Sequence, residues 1–212
     1  MRAARVEARE GRQSRVSLYV FDMGGVVSFD TGYVRKIARD LGMPPRQLYA
    51  LTDEEFQALT AGRISLEEFW RRVSRKTGRP IREDLFEAHF HPRLDRRVAR
   101  LVQRLRQEAR VVVGTNTLET HYRIHDREGH YALFEAVYAS CRMGVAKPDP
   151  EFYRRILEQE GVEPKQSVFV DDREENVEAA AQVGMTAILF RGARRLEREI
   201  SPLRARKTGS TG

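Results

Sequence analysis

Five short runs rich in β-branched and aromatic residues punctuate the chain: Ser17-Leu-Tyr-Val-Phe-Asp22, Arg110-Val-Val-Val-Gly-Thr115, Ala136-Val-Tyr-Ala-Ser140, Ser167-Val-Phe-Val-Asp171 and Thr186-Ala-Ile-Leu-Phe190. Near-continuous apolar runs of this kind read as strands of a parallel sheet covered on both faces. Parallel neighbours need crossover connections, and the intervening segments carry helical patterns. Between Asp95 and Ala109, residues Val98, Leu101, Val102 and Leu105 fall at i, i+3, i+4 and i+7, which lays one apolar stripe on a sheet. Asp149-Pro150 opens another helix, with Asp as N-cap, Pro at the first position, and Phe152, Ile156 and Leu157 facing inward. The expected fold class is α/β, a parallel sheet flanked by helices.

One stretch breaks the alternation. From about Tyr33 to Pro92 there is no convincing strand, and the pattern is helical; Ser65 followed by Glu68 forms a capping box ahead of Phe69, Trp70 and Val73. This block lies between the first and second strands, so it is expected to sit over the strand ends as a cap, where doubly wound sheets bind ligands. The predicted division is a basic extension at 1–16, a core at 17–32 and 93–192, a helical cap at 33–92, and a basic tail at 193–212.

The chain has 212 residues, 41% of them hydrophobic and 33% charged, which fits a soluble globular protein rather than a disordered or fibrous one. Its net charge of +7 raises a polyanion partner. The excess is localised, however. Met1 to Ser17 holds five arginines against two glutamates, the segment from Arg191 holds seven basic residues against two acidic ones, and the body between them is left at −1. Nucleic acid is therefore not the expected partner. Cys141 stands alone, which excludes an intramolecular disulfide and any zinc site built on several thiolates. No run approaches a membrane span and the first residues lack the apolar segment of a secretory signal. The expectation is a cytoplasmic protein with no membrane partner.

Chemistry-bearing residues gather where strands end. Asp22 follows the first strand, and Gly24-Gly25 lets backbone approach an anion, as suits a nucleophile facing a phosphoryl group; the same residues are also ordinary turn formers. Thr115 and Asn116 end the second strand and could donate to phosphate oxygens or cap a helix. Lys147 stands just before a helix start. Asp171-Asp172, with Asn176 shortly after, offers hard oxygen ligands suited to Mg²⁺, or two helix-capping acids.

In their order and spacing these four signals resemble the motifs of the haloacid dehalogenase-like hydrolase superfamily, over about Ser17 to Gly192. Within it the chain is similar to C1-capped members of subfamily I, sugar-phosphate phosphatases of the glucose-1-phosphate type whose first motif reads Asp-x-Gly-Gly-Val. The resemblance implies a Rossmann-like core and a Mg²⁺-dependent phosphomonoesterase acting on a small phosphate ester. Asp22 would attack phosphorus and ligate the metal. Lys147 would neutralise charge between Asp22 and the phosphoryl oxygens, and Thr115 and the Asn116 region would donate to those oxygens. Asp172 would be the direct metal ligand of the acidic pair, Asp171 would act directly or through water, and Asn176 would hold the loop, with Gly25 in support. Composition agrees: Asn116 and Asn176 are the only asparagines, and Lys147 is one of five lysines among 38 basic residues. The resemblance carries nothing about oligomeric state.

The departure is at Gly24. Many members have a second Asp there, whose carbonyl ligates the metal and whose side chain protonates the leaving group; Gly24 keeps only the carbonyl. General acid help is worth about 10²- to 10⁴-fold, so slow turnover, a good leaving group or a substitute acid is expected, with Asp30 the nearby candidate. The rival readings are a metal-independent 2-haloacid dehalogenase, which would not need the Asp171-Asp172 pair, and a catalytically weak phosphate-binding protein. His121 and His125 have a chelating i, i+4 spacing but no third ligand, so they read as packing histidines. Phe69 and Trp70 read as cap core.

Overall fold

The computed structural model describes residues 15–29 and 32–204. In chain order the elements are β1 (Leu18–Phe21), β2 (Ser28–Phe29), α1 (Tyr33–Asp40), α2 (Pro45–Thr60), α3 (Leu66–Thr77), α4 (Leu85–His89), β3 (Arg93–Leu94), α5 (Arg96–Leu105) and β4 (Arg110–Thr115). They continue with α6 (Glu119–Arg127), β5 (Val137–Ala139), α7 (Ser140–Met143), α8 (Pro150–Glu160), β6 (Ser167–Asp171), α9 (Glu174–Val183), β7 (Thr186–Leu189) and α10 (Ala193–Ile200).

The five sequence-predicted strands pair into one parallel sheet in the order β5-β4-β1-β6-β7, the Rossmann-like α/β arrangement expected. Strand β1 is central, and its residues divide by parity. Tyr19 and Phe21 join Val111, Val113, Val168 and Val170 under α5 and α10, while Leu18 and Val20 join Val112 and Phe169 under α8 and α9. Both faces are thus covered, which is why these strands carry apolar residues at consecutive positions. Asp95 caps α5 by accepting from the amides of Arg97 and Val98 at 2.6 and 3.1 Å, and Asp149 caps α8 by accepting from that of Glu151 at 2.9 Å.

Helices α1 to α4 form a separate apolar cluster around Ile37, Leu48, Phe69, Trp70, Val73 and Phe86. Ser65 caps α3 by accepting from the Glu68 amide at 3.1 Å, as its spacing predicts. Where the chain leaves and re-enters the core, β2 and β3 pair as a short antiparallel ribbon, Ser28 opposite Leu94. Two-residue strands have no readable period, so nothing in the residue pattern announces them. Asp84 ties this helical block to the core: it accepts from Trp70 Nε1 at 3.1 Å, from the Phe86 amide at 3.0 Å and from the Thr120 hydroxyl at 2.5 Å. Ser140 adds a second tie by donating to the Thr60 carbonyl at 2.5 Å.

The chain end differs from expectation. Residues 193–200, assigned to a basic tail, form α10, and Leu196 and Ile200 are wholly buried in the core. Their i, i+4 apolar pair is hidden among charges, yet burying each contributes about 1.5–3 kcal/mol. Arg191 and Arg195 pair with Glu174 and Glu199 at 2.9 and 2.7 Å, and Arg204 pairs with Glu108. Much of the described C-terminal positive charge is therefore neutralised within the fold rather than held out for a polyanion. Among the described residues, no helix is long and apolar enough to cross a membrane.

Candidate active site

The candidate site lies where β1, β4 and β6 end. The Asp22 amide still donates to the Val170 carbonyl at 2.8 Å, continuing the sheet pattern. The chain then turns sharply: Val27 and Ser28 amides both donate to the Met23 carbonyl, at 3.0 and 2.8 Å. Gly25 has φ +85, and a Cβ there would overlap the Asp172 carboxylate. Glycine is needed for both reasons, since the left-handed region costs other residues about 1–2 kcal/mol. Gly24 is different. It is exposed, and a Cβ on it would meet nothing within 4 Å.

Lys147 is the centre of the charge network. Its side chain is 1% exposed, and Nζ donates to Asp22 Oδ1 at 2.6 Å, Asp171 Oδ2 at 2.7 Å and the Gly114 carbonyl at 2.9 Å. All three ammonium protons are used. Burial works against its charge, but Asp22 and Asp171 together outweigh burial and raise its pKa. Asp171 is wholly buried; besides Lys147 it accepts at Oδ1 from the Arg173 amide at 2.9 Å and from Asn176 Nδ2 at 3.0 Å. Asn176 thus holds the loop through Asp171.

Burial raises the Asp22 pKa to about 7, with Asp171 adding to the rise and Lys147 opposing it. Asp172 is half-buried and also raised, first by burial and then by Asp171. Ligand oxygens of Asp22, Asp171 and Asp172 lie within 4.8 Å of one another. Three crowded carboxylates against one lysine leave an excess of negative charge that a hard divalent cation fits, since it would hold Asp22 and Asp172 ionised. The Gly24 carbonyl belongs to the same turn.

Asn116 does something other than expected. Its Nδ2 donates to the Lys147 carbonyl and its Oδ1 accepts from the Lys147 amide, both at 2.8 Å. The side chain clamps the Lys147 backbone, using its oxygen and one of its two N–H donors; its spacing from Lys147 in sequence, 31 residues, conceals this. Thr115, 3% exposed, ends β4 beside Gly114, whose carbonyl receives Lys147. Asp30 lies outside the described residues.

A polar cavity of about 210 Å³ opens beside Lys147, Asn116 and Asn176. Its remaining wall includes Tyr33, Gln57, His121 and Arg173, none of which the sequence marks as functional. Arg173 adjoins the acidic pair, which is the one signal it carries; Tyr33 and Gln57 come from the helical block and carry none. His121 stacks on Phe90 at 3.7 Å, and its Nε2 is buried without a hydrogen-bond partner among the described residues. Burial lowers the pKa of both His121 and His125 to about 3. His125 Nδ1 faces His130 Nδ1 at 2.9 Å, and neither His121 nor His125 joins the carboxylate cluster, in line with packing histidines.

A phosphatase of Mycobacterium tuberculosis is 30% identical to the chain over 82% of the chain and 87% of its own length. A sesquiterpene phosphatase of Aspergillus oryzae is 32% identical over 80% of the chain and 87% of its own length. The fold superimposes on an enzyme from Bacteroides thetaiotaomicron solved with magnesium and inorganic phosphate, with a TM-score of 0.71, 23% identity, and 82% and 93% of the two chains covered. Residues 16–184 match the family model of haloacid dehalogenase-like hydrolases. With its parallel sheet converging three carboxylates and a buried lysine, the chain belongs to the haloacid dehalogenase-like hydrolase family.

Proposed function

We propose that the chain is a Mg²⁺-dependent phosphomonoester hydrolase that turns over a small phosphorylated metabolite through an aspartyl-phosphate on Asp22. The observation that carries this reading is the Asp22 carboxylate, held 2.6 Å from Lys147 Nζ with Asp171 and Asp172 converging on the same point. Relatives named as phosphatases, and the magnesium and phosphate held by the Bacteroides enzyme, support it.

An oxygen of Asp22 attacks phosphorus in line with the ester oxygen, the P–O ester bond breaks, and the alkoxide leaves. Water then attacks the phosphoaspartate, releasing inorganic phosphate and restoring the carboxylate. Lys147 offsets the charge on the equatorial oxygens from a fixed position, so no reorganisation is needed as charge develops. Asn116 keeps it there through two backbone bonds. Asp22, Asp172, the Gly24 carbonyl and Asp171, directly or through water, would hold Mg²⁺. When bound, the ion would screen the phosphoryl charge from the attacking carboxylate. Because Gly24 brings no acid, the departing alkoxide takes its proton from solvent or from a substitute acid such as Asp30, and without a substitute esters of acidic alcohols are turned over fastest.

The test is release of phosphate from an aryl phosphate with Mg²⁺ and after chelation, comparing wild type with Asp22→Asn. The reading predicts metal-dependent release by wild type alone. Equal release by both proteins would remove Asp22 as nucleophile.

A further inference from the structure

The polar cavity borders another. It shares Tyr33, Phe56, Gln57 and Arg173 with a second cavity of about 270 Å³ that runs into the helical block. This inner chamber is walled by Ile37, Leu48, Phe69, Trp70, Val73 and Phe86, the same side chains that form the block's apolar cluster. Close-packed interiors leave few voids larger than a water molecule, so a chamber of this size beside a polar anchor has the anatomy of a ligand site.

Building on the hydrolase reading above, we infer that the phosphate ester is amphiphilic, with its phosphate at Lys147 and an apolar tail lying in the chamber between α1, α2, α3 and α4. The wall chemistry separates this from a sugar phosphate. In the buried wall the Thr52 hydroxyl is committed to the Leu48 carbonyl at 2.8 Å and Trp70 Nε1 to Asp84 at 3.1 Å, while Tyr49, Asp53 and Gln57 line the exposed side. A polyol placed against that buried wall would find Thr52 and Trp70 already taken, whereas an alkyl chain needs neither. The junction is preorganised. Edge-on contacts to Phe86 and Phe90, with ring centroids 5.9 and 5.6 Å away, brace the Tyr33 ring. The Arg173 backbone is anchored to Asp171, and its guanidinium, paired with Glu175, lies on the wall common to both cavities. At the rim, Tyr49 is 58% exposed, an uncovered aromatic where the chamber meets solvent.

The experiment measures kcat/KM for ethyl, butyl, hexyl and octyl phosphate, with phenyl phosphate alongside, in wild type and in Val34→Trp, whose new ring would intrude on the chamber wall. Burial of each methylene predicts a rise of roughly threefold to fourfold per carbon across the alkyl series, whose leaving groups are matched, until the chamber is full, and a flatter rise in Val34→Trp. A flat or falling series, with phenyl phosphate still hydrolysed in a metal- and Asp22-dependent way, would overturn the tail assignment and leave the hydrolase intact. If no ester is hydrolysed, the hydrolase reading fails instead. Calorimetric binding then decides the chamber: octyl phosphate binding no tighter than ethyl phosphate overturns it, and tighter binding sustains it.

Discussion

The strand-end pocket and the helical block above it are built on opposite principles. In the pocket, Lys147, Asp171 and Asn176 are each hydrogen-bonded to named partners, and shifting one charge disturbs all. The block is held by apolar contact, with aromatic rings such as Phe69, Trp70 and Phe86 meeting at centroid distances of 4.7 to 5.4 Å, and it keeps an open chamber. A saturated polar network has one good geometry, whereas an apolar wall can be reshaped by changing side-chain volume. The difference teaches that, in the proposed reaction, the core would fix the phosphoryl chemistry and the helices would choose the ester.

Removing the charge at the centre of the network should have the largest effect. Lys147→Met would leave Asp22 and Asp171 buried and unpaired, and breaking a buried ion pair costs about 3–5 kcal/mol. Urea unfolding should show that loss, together with abolished phosphate release; unchanged stability would mean that the network is not what holds the strand ends. Next comes the one gap in the pocket. Gly24→Asp places a carboxyl where a Cβ meets nothing, so stability should hold while turnover of alkyl phosphates rises by about 10²-fold. Aryl esters, with better leaving groups, should gain much less.

The seam between core and block can be tested with acid. His121 and His125 have folded pKa values near 3, whereas the unfolded chain protonates histidine near ~6.5. Their contribution is complete above ~6.5 and is lost as pH falls toward 3, because the unfolded state takes up protons that the folded state refuses. Each histidine should add a slope of up to about 1.4 kcal/mol per pH unit in that window. His121→Phe should reduce the slope of stability against pH whatever it does to the level; an unaltered slope would show that His121 is not the group titrating. The smallest effect expected is that of Ser65→Ala, which removes the α3 cap and should cost about 1 kcal/mol in thermal or urea unfolding. The ratio of kcat/KM for octyl over ethyl phosphate should fall only if α3 frays far enough to distort the chamber.

Much of the core is legible in the residues alone. Runs such as Ser167 to Asp171 are apolar at every interior position because both faces of the sheet are covered, so they announce their strands directly. The caps Ser65, Asp95 and Asp149 are equally local signals. What escapes is whatever depends on distant partners. Leu196 and Ile200 look like part of a charged tail because only the facing helix α5 and the sheet make their burial worthwhile. The clamp that Asn116 makes is not legible because its partner, the Lys147 backbone, is remote in the chain. Nor does any period predict that the helical block is hollow.

By itself the sequence determined the alternating strands and helices, the strand-free insertion, and the candidate residues Asp22, Asp171 and Asp172 at strand ends and Lys147 before a helix. These follow from local side-chain chemistry and from periodicity, which act within a few residues. Only the tertiary structure decided that three carboxylates would crowd one buried lysine, that Asn116 would clamp it, and that an apolar chamber would share a wall with the cavity beside Lys147. Those outcomes depend on desolvation and packing between segments far apart in the chain, and such energies exist only once the sheet has brought the strand ends together.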